Sequence, residues 1–464
     1  MQFATLFAPA RDKPVVAGLI GCGEFGLSLI AQSRRMDGLQ IRAVADRDVA
    51  RVEASLSAAG IDARLCQDGA AARAAFAAGA VAICASVDDL LALPIEIVVE
   101  ATGDAEAGAR FAEAAIAAGR GVAMVSKEAE CVVGPILARK ARQKGVPYTL
   151  VDGDQPSLLI GLVSWARVLG LPVVAAGKSS EYDYVFDPAT GTVTWTDRSV
   201  PAPDLTDAWQ FDGRPPAEVL ALREAAVAPI PLRTVPDSCE MCLVANATGL
   251  KPDRPDLHAP LTRTTELPNV YSPIAEGGVL SRTGIIDVFN CLREPDDTSF
   301  AGGVFVVVEL ADEATGRLFA GKGIPVSRNR RYGLVYNPSH MLGVEAPISV
   351  MAAARLRHDM VDESYRPVCD LVARAETDLP AGRRLDIVGL RHAIPDLQPL
   401  LLDAAPVRPG SPLPYYMAVG RTLVRPVKRG DTILVDDVGE LADSTLWRLR
   451  AEQDAQIFPA RREA

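Results

Sequence analysis

Three glycines spaced as Gly-x-Gly-x-x-Gly are the residues whose type and spacing most clearly predict chemistry. Gly21, Gly23 and Gly26 follow an apolar run of strand length, Val15 to Ile20, and precede a segment with helical spacing. Glycine permits the tight turn and the close approach of backbone to a pyrophosphate, and the helix N-terminus then faces the phosphates. Asp46, 20 residues after Gly26 (46 − 26), ends the next apolar run, where an acid binds a ribose hydroxyl. The stretch therefore predicts a dinucleotide site.

Further predicted contacts with the dinucleotide come from Arg47 and from the end of the apolar strand 95–100. Asp46 favours the free 2′-hydroxyl of NAD, whereas Arg47 can stack on adenine or hold the 2′-phosphate of NADP, so both cofactors stay open. The turn after Glu100 follows a parallel strand at its carboxyl end, where open α/β sheets bind ligands. The predicted cofactor-binding residues are Gly21, Gly23, Glu24, Phe25, Gly26, Asp46, Arg47, Ala101, Thr102 and Gly103.

The composition is that of a globular protein whose partner is a small molecule. The 464 residues are 49% hydrophobic and 23% charged, which suits two or three domains with their own cores. The net charge of −11 argues against nucleic acid and against an anionic membrane surface. No apolar run reaches the ~18 residues of a bilayer span, and no signal-peptide core is found, so a cytoplasmic location is expected. The eight cysteines, Cys239 and Cys242 included, suit structural roles in a reducing compartment.

The order of predicted elements divides the chain into three parts. Strands and helices, one of them at 135–144, alternate in the first part, which predicts an α/β fold with a doubly wound parallel sheet of the Rossmann type. The alanine-rich segment 70–85 is interpreted as an inserted helix. In the α+β middle part, Thr315-Gly316 predicts a hairpin turn and 326–347 a substrate loop. The predicted domains are an NAD(P)-binding domain (1–157), an α+β catalytic and dimerisation domain (158–365), and a small β domain with a tail (366–464).

The first part resembles the homoserine dehydrogenase family. The matching residues are the three glycines, the buried strand end Val98-Val99-Glu100, and Val125-Ser126-Lys127 after a later strand. The resemblance implies that Lys127 lies near the nicotinamide and the substrate, as a cofactor-binding and catalytic residue. The family's substrate-binding signature, Gly-Tyr-Ala-Glu-x-Asp-Pro, does not occur in the middle part, so a substrate other than homoserine is expected.

The C-terminal part resembles a SAF domain, a small β-clip module. The matching pieces are Asp378 to Gly382 and Val427 to Val438. A nucleotide domain of the homoserine dehydrogenase type followed by a SAF domain resembles the deoxyxylulose-phosphate reductoisomerase-like proteins of some bacteria. The resemblance implies NADPH as cofactor, with NADH as an alternative. It also implies a divalent metal, Mg²⁺ or Mn²⁺, and reductoisomerase activity on 1-deoxy-D-xylulose 5-phosphate in isoprenoid precursor synthesis.

Such a reaction would place a metal ion at the junction of the first two domains. Carboxylate ligands suit Mg²⁺ or Mn²⁺ and leave open positions for a hydroxyketone. Asp152 and Asp154 follow a predicted parallel strand, and Glu181 or Glu240 would complete the predicted metal site. The alternative is that the two aspartates cap the helix that begins near Pro156.

Two lysines and one histidine are the predicted catalytic residues. Lys127 can protonate a developing alkoxide or orient a substrate carbonyl. Lys178 ends a strand. His340 lies in a loop bounded by glycine and proline, where an acid–base group or a ligand would be positioned; a structural role is the alternative.

The predicted substrate-binding residues form two groups. Ser179 and Ser180 follow Lys178, and this cation with two hydroxyls suits a phosphate. Arg328, close in sequence to two further arginines, is a second candidate anion clamp, unless the cluster is a solvated surface.

The sequence thus predicts an NAD(P)-dependent oxidoreductase acting on a small phosphorylated or hydroxy-carbonyl compound. Two alternatives stay open. One is a metal-independent dehydrogenase of a hydroxy-aldehyde or semialdehyde in which Lys127 and Lys178 share the proton transfer. The other is a nucleotide-bound, non-catalytic sensor. A homo-oligomer is expected because the middle sheet of such oxidoreductases usually pairs with a second copy.

Overall fold

The computed structural model describes residues 2–389, 393–439 and 441–458. The first part contains seven strands: β1 Val15–Ile20, β2 Leu39–Ala45, β3 Ala63–Cys66, β4 Val81–Cys84, β5 Ile97–Glu100, β6 Gly121–Met124 and β7 Tyr148–Leu150. Its helices are α1 Phe3–Leu6, α2 Ala8–Asp12, α3 Glu24–Ser33, α4 Val49–Ala58, α5 Gly69–Ala77, α6 Val87–Leu91, α7 Ala105–Ala117 and α8 Lys127–Lys144.

The seven strands form one parallel sheet in the order β3-β4-β2-β1-β5-β6-β7. Apolar residues of α3 and α4 pack on one face, and those of α5, α7 and α8 pack on the other. This arrangement confirms the predicted doubly wound sheet. The central strands β1 and β5 are almost fully buried, as expected for parallel strands covered on both faces, whereas the edge strand β3 is partly exposed.

Two predictions for the first part are wrong in detail. The segment 70–85 is not one inserted helix, because α5 ends at Ala77 and a buried strand, β4, follows and extends the sheet. Alanine is common in both elements, so composition conceals the change. The helix predicted from Pro135 begins eight residues earlier (135 − 127), at Lys127, and contains Pro135 in its interior.

The middle part folds around a mixed sheet. Its strands are β8 Val173–Ser179, β9 Tyr184–Asp187, β10 Thr192–Trp195, β11 Arg198–Pro201, β12 Lys251–Pro252, β13 Leu261–Thr262, β14 Ile285–Arg293, β15 Val304–Glu309 and β16 Tyr332–Asn337. The order is β11-β10-β9-β14-β8-β15-β16, and β12 and β13 pair with β14. The helices are α9 Gln155–Val168, α10 Pro216–Ala226, α11 Val235–Thr248, α12 Leu267–Val270, α13 Glu313–Gly321 and α14 Pro347–Met351.

The chain itself covers both faces of this sheet. Residues of α9 and α11 pack on one face, while Phe211, Leu267 and Tyr271 belong to the apolar cluster on the other. Among the described residues, the central strands β8, β14 and β15 are therefore buried on both faces, which gives no support to the sheet pairing on which the expected homo-oligomer was based. Oligomeric state stays a prediction.

Two local predictions for the middle part are also corrected. Thr315-Gly316 is not a hairpin turn but lies within α13, because the Asp312 side chain accepts the Thr315 N–H and starts a helix. The predicted substrate loop 326–347 is interrupted by β16, so irregular segments lie on both sides of this strand, at 326–331 and from 338.

The C-terminal part contains β17 Cys369–Ala375, β18 Leu397–Asp403, α15 Tyr415–Ala418 and α16 Thr445–Ile457. β17 and β18 form an antiparallel pair, and isolated bridges such as Leu379 to Val427 join the two pieces that resemble a SAF domain. α16 packs on α7 and α8 of the first part. No helix of the described chain is long and apolar enough to cross a bilayer. The SAF assignment stays a prediction.

Candidate active site

A cavity of about 1020 Å³ opens at the carboxyl ends of the parallel strands. Seven predicted cofactor-binding residues line it: Gly21, Gly23, Asp46, Arg47, Ala101, Thr102 and Gly103. Glu24, Phe25 and Gly26 lie in the first turn of α3 beside it, and are not among the lining residues. Sequence reasoning missed Arg51, Ser86 and Arg110, which also line the cavity.

The glycine turn fits a dinucleotide for a separate reason at each position. Gly21 has φ +86°, and a Cβ there would lie 2.5 Å from the Ala101 carbonyl oxygen. A Cβ at Gly26 would lie 2.8 Å from the Gly21 carbonyl oxygen, so glycine lets α3 pack close to β1. A Cβ at Gly23 would meet no atom within 4 Å, so the space beside this backbone is open to a phosphate.

Asp46 is held at the end of β2 by backbone groups. Its Oδ2 accepts the Cys22 N–H at 2.7 Å, and its Oδ1 accepts the Asp48 N–H at 2.8 Å. Arg51 donates to Asp46 Oδ2 at 3.2 Å and to the Cys22 carbonyl oxygen at 2.9 Å. The carboxylate is therefore fixed at the cavity wall, in the position expected of an acid that binds a ribose hydroxyl.

The turn Thr102-Gly103 connects this cavity to the start of α8. The buried Glu100 accepts hydrogen bonds from the Thr102 N–H at 3.1 Å and the Thr102 hydroxyl at 2.6 Å. The Gly103 N–H donates to the Ser126 hydroxyl at 2.9 Å. Because Lys127 follows Ser126, the network places Lys127 directly beyond the nucleotide cavity.

Lys127 belongs to a group that we name the lysine–carboxylate cluster: Lys127, Lys178, Asp154, Asp237 and Glu240. Glu240 of α11 forms ion pairs with both lysines, one on each carboxylate oxygen. Lys178 Nζ lies 2.8 Å from Asp237 Oδ1, and Lys127 Nζ lies 3.8 Å from Asp154 Oδ1. Two cations thus share three carboxylates where the first two parts of the chain meet.

Electrostatics keep both lysines of the cluster protonated. Burial by itself would lower the pKa of Lys127, but the carboxylates of Asp154 and Glu240 outweigh it and hold the pKa well above 10.5. The pKa of Lys178 is raised in the same way, since Asp237 and Glu240 outweigh its burial. Burial would raise the pKa of Glu240, yet the two ammonium groups lower it from 4.5 to about 2.

Exposure distinguishes the two lysines. The Lys127 side chain is 24% exposed, whereas that of Lys178 is 1% exposed. Only Lys127 can therefore reach a substrate in the cleft without rearrangement. Lys178 forms ion pairs with Asp237 and Glu240, and its predicted catalytic role stays a prediction.

The four predicted metal ligands do not fit a metal site. Glu240 is neutralised by the two lysines, and Asp154 caps α9 by accepting the Gln155 N–H at 2.9 Å. Asp152 accepts the Ser157 hydroxyl at 2.6 Å, and Glu181 is exposed. Within the described ranges, no group of three or more histidine, cysteine, aspartate or glutamate side chains is arranged to hold a metal ion. Of the two alternatives, capping is confirmed for Asp154.

The predicted phosphate contacts are occupied by protein groups. The Ser180 hydroxyl donates to Asp237 at 2.8 Å, and the Ser179 hydroxyl donates to the Ser180 carbonyl oxygen at 3.1 Å. Arg328 is exposed on the middle part, where its N–H donates to Asn269 and its guanidinium lies 5.9 Å from the Phe211 ring. Their substrate roles stay predictions, and the structure does not bring Arg328 into the lysine–carboxylate cluster.

His340 lies in the segment between β16 and α14. Its Nδ1 is 2.8 Å from the Gly302 carbonyl oxygen. The same segment packs on the turn before α9, since a Cβ at Gly153 would overlap the Leu342 carbonyl group. In the described part of the chain, no hydrogen bond joins His340 to either lysine. A catalytic role for His340 stays a prediction.

Asp237 is the cluster member that sequence reasoning missed. Asp237 and Glu240 are three residues apart on α11, so both carboxylates lie on one face of this helix. Asp237 also accepts the Thr234 hydroxyl at 2.6 Å. An Asp-x-x-Glu spacing within a buried helix is the signal that could have indicated the pair.

Two family models match separate parts of the chain. The model described as homoserine dehydrogenase, NAD binding domain, matches residues 21–150, and that described as oxidoreductase DRL, catalytic domain, matches residues 234–346. The chain therefore resembles an NAD-binding domain in its first part and an oxidoreductase catalytic domain in its middle part. The first match includes Lys127, and the second includes Asp237 and Glu240. None of the curated proteins matches the chain.

The chain is also similar to solved structures. An NAD binding oxidoreductase from Klebsiella pneumoniae is 20% identical with a TM-score of 0.27, over 38% of this chain and 44% of that chain. An oxidoreductase from Agrobacterium radiobacter, solved with NAD+, L-tartaric acid and magnesium, is 14% identical with a TM-score of 0.37, over 74% and 89%. DOX-P reductoisomerase, solved with NADPH, fosmidomycin and magnesium, is 15% identical with a TM-score of 0.27, over 36% and 45%.

The chain spans less than half the length of the first and third of these structures.

Proposed function

We propose that the protein is a metal-independent NAD(P)H-dependent oxidoreductase that reduces the carbonyl group of a small hydroxy-carbonyl compound, with Lys127 as the proton donor. The observation that carries the proposal is the position of Lys127. It is the partly exposed, protonated lysine of the cluster, and Ser126 connects it to the turn that lines the nucleotide cavity.

The nucleotide cavity supplies the cofactor contacts. Gly21 and Gly23 would hold the pyrophosphate at the start of α3, and Asp46 would accept a ribose hydroxyl. The nicotinamide, when bound, supplies or accepts a hydride. The turn Thr102-Gly103 would lie beside it, next to Lys127.

Lys127 would donate its proton to the substrate oxygen as negative charge develops there. An alkoxide is more basic than a lysine amine, so this transfer is favourable even though the pKa of Lys127 is well above 10.5. The N-terminus of α8, where Lys127 is the first residue, also stabilises negative charge. The reverse reaction needs neutral Lys127 as base, so the oxidation of an alcohol by this group should be slow at neutral pH.

A carboxylate substrate is disfavoured at the reacting end. The two ammonium groups already face three carboxylates, Asp154, Asp237 and Glu240, so the formal charge of the cluster is −1 (2 − 3). A neutral carbonyl or hydroxyl group avoids this repulsion. A phosphate on the substrate would have to lie away from the cluster.

The second candidate is a metal-dependent reductoisomerase of 1-deoxy-D-xylulose 5-phosphate. Its support is the order of an NAD-binding domain and an oxidoreductase catalytic domain on one chain, together with the sequence resemblance. The poor fit of the predicted metal ligands weighs against it. A nucleotide-bound sensor is a third possibility that the same experiment addresses.

The test is oxidation of NADH and NADPH with deoxyxylulose phosphate and with a panel of hydroxy-aldehydes and hydroxy-ketones. Each is measured with Mn²⁺, with Mg²⁺ and with a chelator. The proposal predicts turnover that survives the chelator. Turnover of deoxyxylulose phosphate only with added metal would instead establish the second candidate, and cofactor binding without any turnover would favour the sensor.

Two lysine variants assign the proton donor. Lys127→Met should lower the rate of carbonyl reduction by about 10²-fold or more, the usual contribution of a general acid. Lys144→Met, at the exposed other end of the same helix, should leave the rate unchanged. Equal rates for the two variants would exclude Lys127 as the donor.

A further inference from the structure

Asp46 and Arg51, in the wall of the nucleotide cavity, lie where they can distinguish NAD(H) from NADP(H). Asp46 receives two backbone N–H groups, those of Cys22 and Asp48, at 2.7 and 2.8 Å. These bonds keep the carboxylate in place whether or not a ligand is bound. Arg51, from the first turn of α4, adds an ion pair at 3.2 Å.

The hydrogen bonds leave the Asp46 carboxylate able to accept one further hydrogen bond, at Oδ1. Oδ2 accepts from Cys22 and from Arg51, whereas Oδ1 accepts only from the Asp48 N–H among the bonds to described residues. An ionised carboxylate oxygen has a second lone pair, so Oδ1 can accept a ribose 2′-hydroxyl. A 2′-phosphate offers no such donor and brings like charge toward Asp46 and Asp48.

Arg51 is the cation best placed to bind a 2′-phosphate, but its donors are already in use. Its Nη1 donates to the Cys22 carbonyl oxygen at 2.9 Å, and its Nη2 donates to Asp46. Nε lies 3.8 Å from Asp48. The guanidinium therefore faces protein oxygens. Its side chain is 43% exposed and lines the cavity, so release from Asp46 would turn the same group toward a ligand.

We propose that Asp46 selects NAD(H) over NADP(H), and that its ion pair with Arg51 masks a guanidinium that would otherwise bind the 2′-phosphate. The selection differs from the NADPH that the family resemblance implies. It requires dinucleotide binding but not the proposed substrate or reaction. Binding titrations without substrate therefore test it separately from the proposed function.

Arg47 is the competing phosphate ligand. It also lines the cavity, and in the described part of the chain no hydrogen bond or ion pair holds it in place. An unrestrained arginine loses more side-chain entropy on binding than one anchored at the Cys22 carbonyl. Arg51, and not Arg47, is therefore assigned as the masked ligand.

The experiment measures the dissociation constants of NADH and NADPH by nicotinamide fluorescence. The wild-type protein should bind NADH at least 10-fold more tightly than NADPH. Asp46→Ser should reverse this order by releasing Arg51, and adding Arg51→Ala should remove at least 10-fold of the gained NADPH affinity. Adding Arg47→Ala to Asp46→Ser should have a smaller effect.

A conservative variant covers the case in which Asp46→Ser disturbs the turn. Asp46→Asn keeps an acceptor for the Cys22 N–H and removes the charge, so it should reduce the preference for NADH at least 5-fold. The proposal is overturned if the wild type binds NADPH as tightly as NADH, if the asparagine variant keeps the full preference, or if Asp46→Ser and its double variant with Arg51→Ala bind NADPH equally.

Discussion

At the scale of single residues, Lys127 and Lys178 share one carboxylate but have different tasks. Glu240 sits between them, and each of its oxygens serves one lysine. Lys178 is almost completely buried and also pairs with Asp237 at 2.8 Å. Removal of the Lys178 cation would leave uncompensated negative charge in the interior. Removal of the Lys127 cation, on a side chain that is a quarter exposed, would leave Glu240 still paired with Lys178.

The two lysines can be told apart by stability. Lys178→Met should lower the free energy of unfolding by about 3–5 kcal/mol, the usual effect of breaking a buried ion pair. Lys127→Met should lower it by about 1 kcal/mol or less while slowing carbonyl reduction by about 10²-fold or more. Urea unfolding of both variants measures the difference. Similar losses of stability would mean that Lys127 is as structural as Lys178.

The sequence predicted which residues belong to the site better than it predicted which of them form ion pairs with one another. The glycines and Asp46 were predictable because they lie in one βαβ unit whose geometry follows from local spacing. Lys178 and Glu240 are 62 residues apart, and no local pattern indicates that β8 and α11 bring them together. For the same reason, Glu240 was predicted as a metal ligand, although it is the counter-ion of two lysines.

At the scale of elements, α8 shows how a distant side chain keeps a helix continuous through a proline. Pro135 lacks the N–H that would bond the Cys131 carbonyl oxygen. Gln453 of α16 bonds the same region from outside: it accepts the Ile136 N–H and donates to the Val132 carbonyl oxygen, both at 3.1 Å. A proline usually favours a helix start, so the sequence alone predicted α8 to begin eight residues too late.

Loss of the Gln453 amide should therefore destabilise α8. Gln453→Met keeps the volume but leaves the buried Ile136 N–H and Val132 carbonyl groups without their partner, which should lower the free energy of unfolding by about 1–3 kcal/mol. The matched control is Gln456→Met on the exposed side of α16. The midpoints of urea unfolding measure the stability of both variants. Equal midpoints would mean that the helix does not need the bonds from α16.

At the scale of the whole molecule, the first part of the chain was predictable and the joins between its parts were not. The alternation of strands and helices specifies the parallel sheet through local pattern and short connections. The contacts that join the parts include packed helices, such as α16 on α7 and α8, and hydrogen bonds between single residues of distant segments. One of them is Glu130 of α8, which accepts hydrogen bonds from Tyr148 of the first part and, at 2.5 Å, from Tyr365 of the segment before β17.

The Glu130 contact should make the stability of the fold depend on pH. Burial raises the pKa of Glu130 from 4.5 to about 7, although the hydrogen bonds from the two tyrosines lower it. The protonated form is favoured in the fold, so its contribution is fully present below pH 4.5 and is lost as the pH rises through about 7. A pKa change of this size corresponds to at most about 3 kcal/mol.

Glu130→Gln removes this titration while keeping an acceptor for a tyrosine hydroxyl. Relative to the wild type, the variant should therefore gain stability between pH 5 and pH 8, which thermal unfolding at a series of pH values measures. Glu363→Gln, at an exposed carboxylate close to Tyr365 in sequence, should follow the wild type at every pH. Glu128, whose pKa burial also raises to about 7, is present in all three proteins, so its titration cancels from the comparison. A constant difference between Glu130→Gln and the wild type across this range would mean that Glu130 does not titrate in the fold.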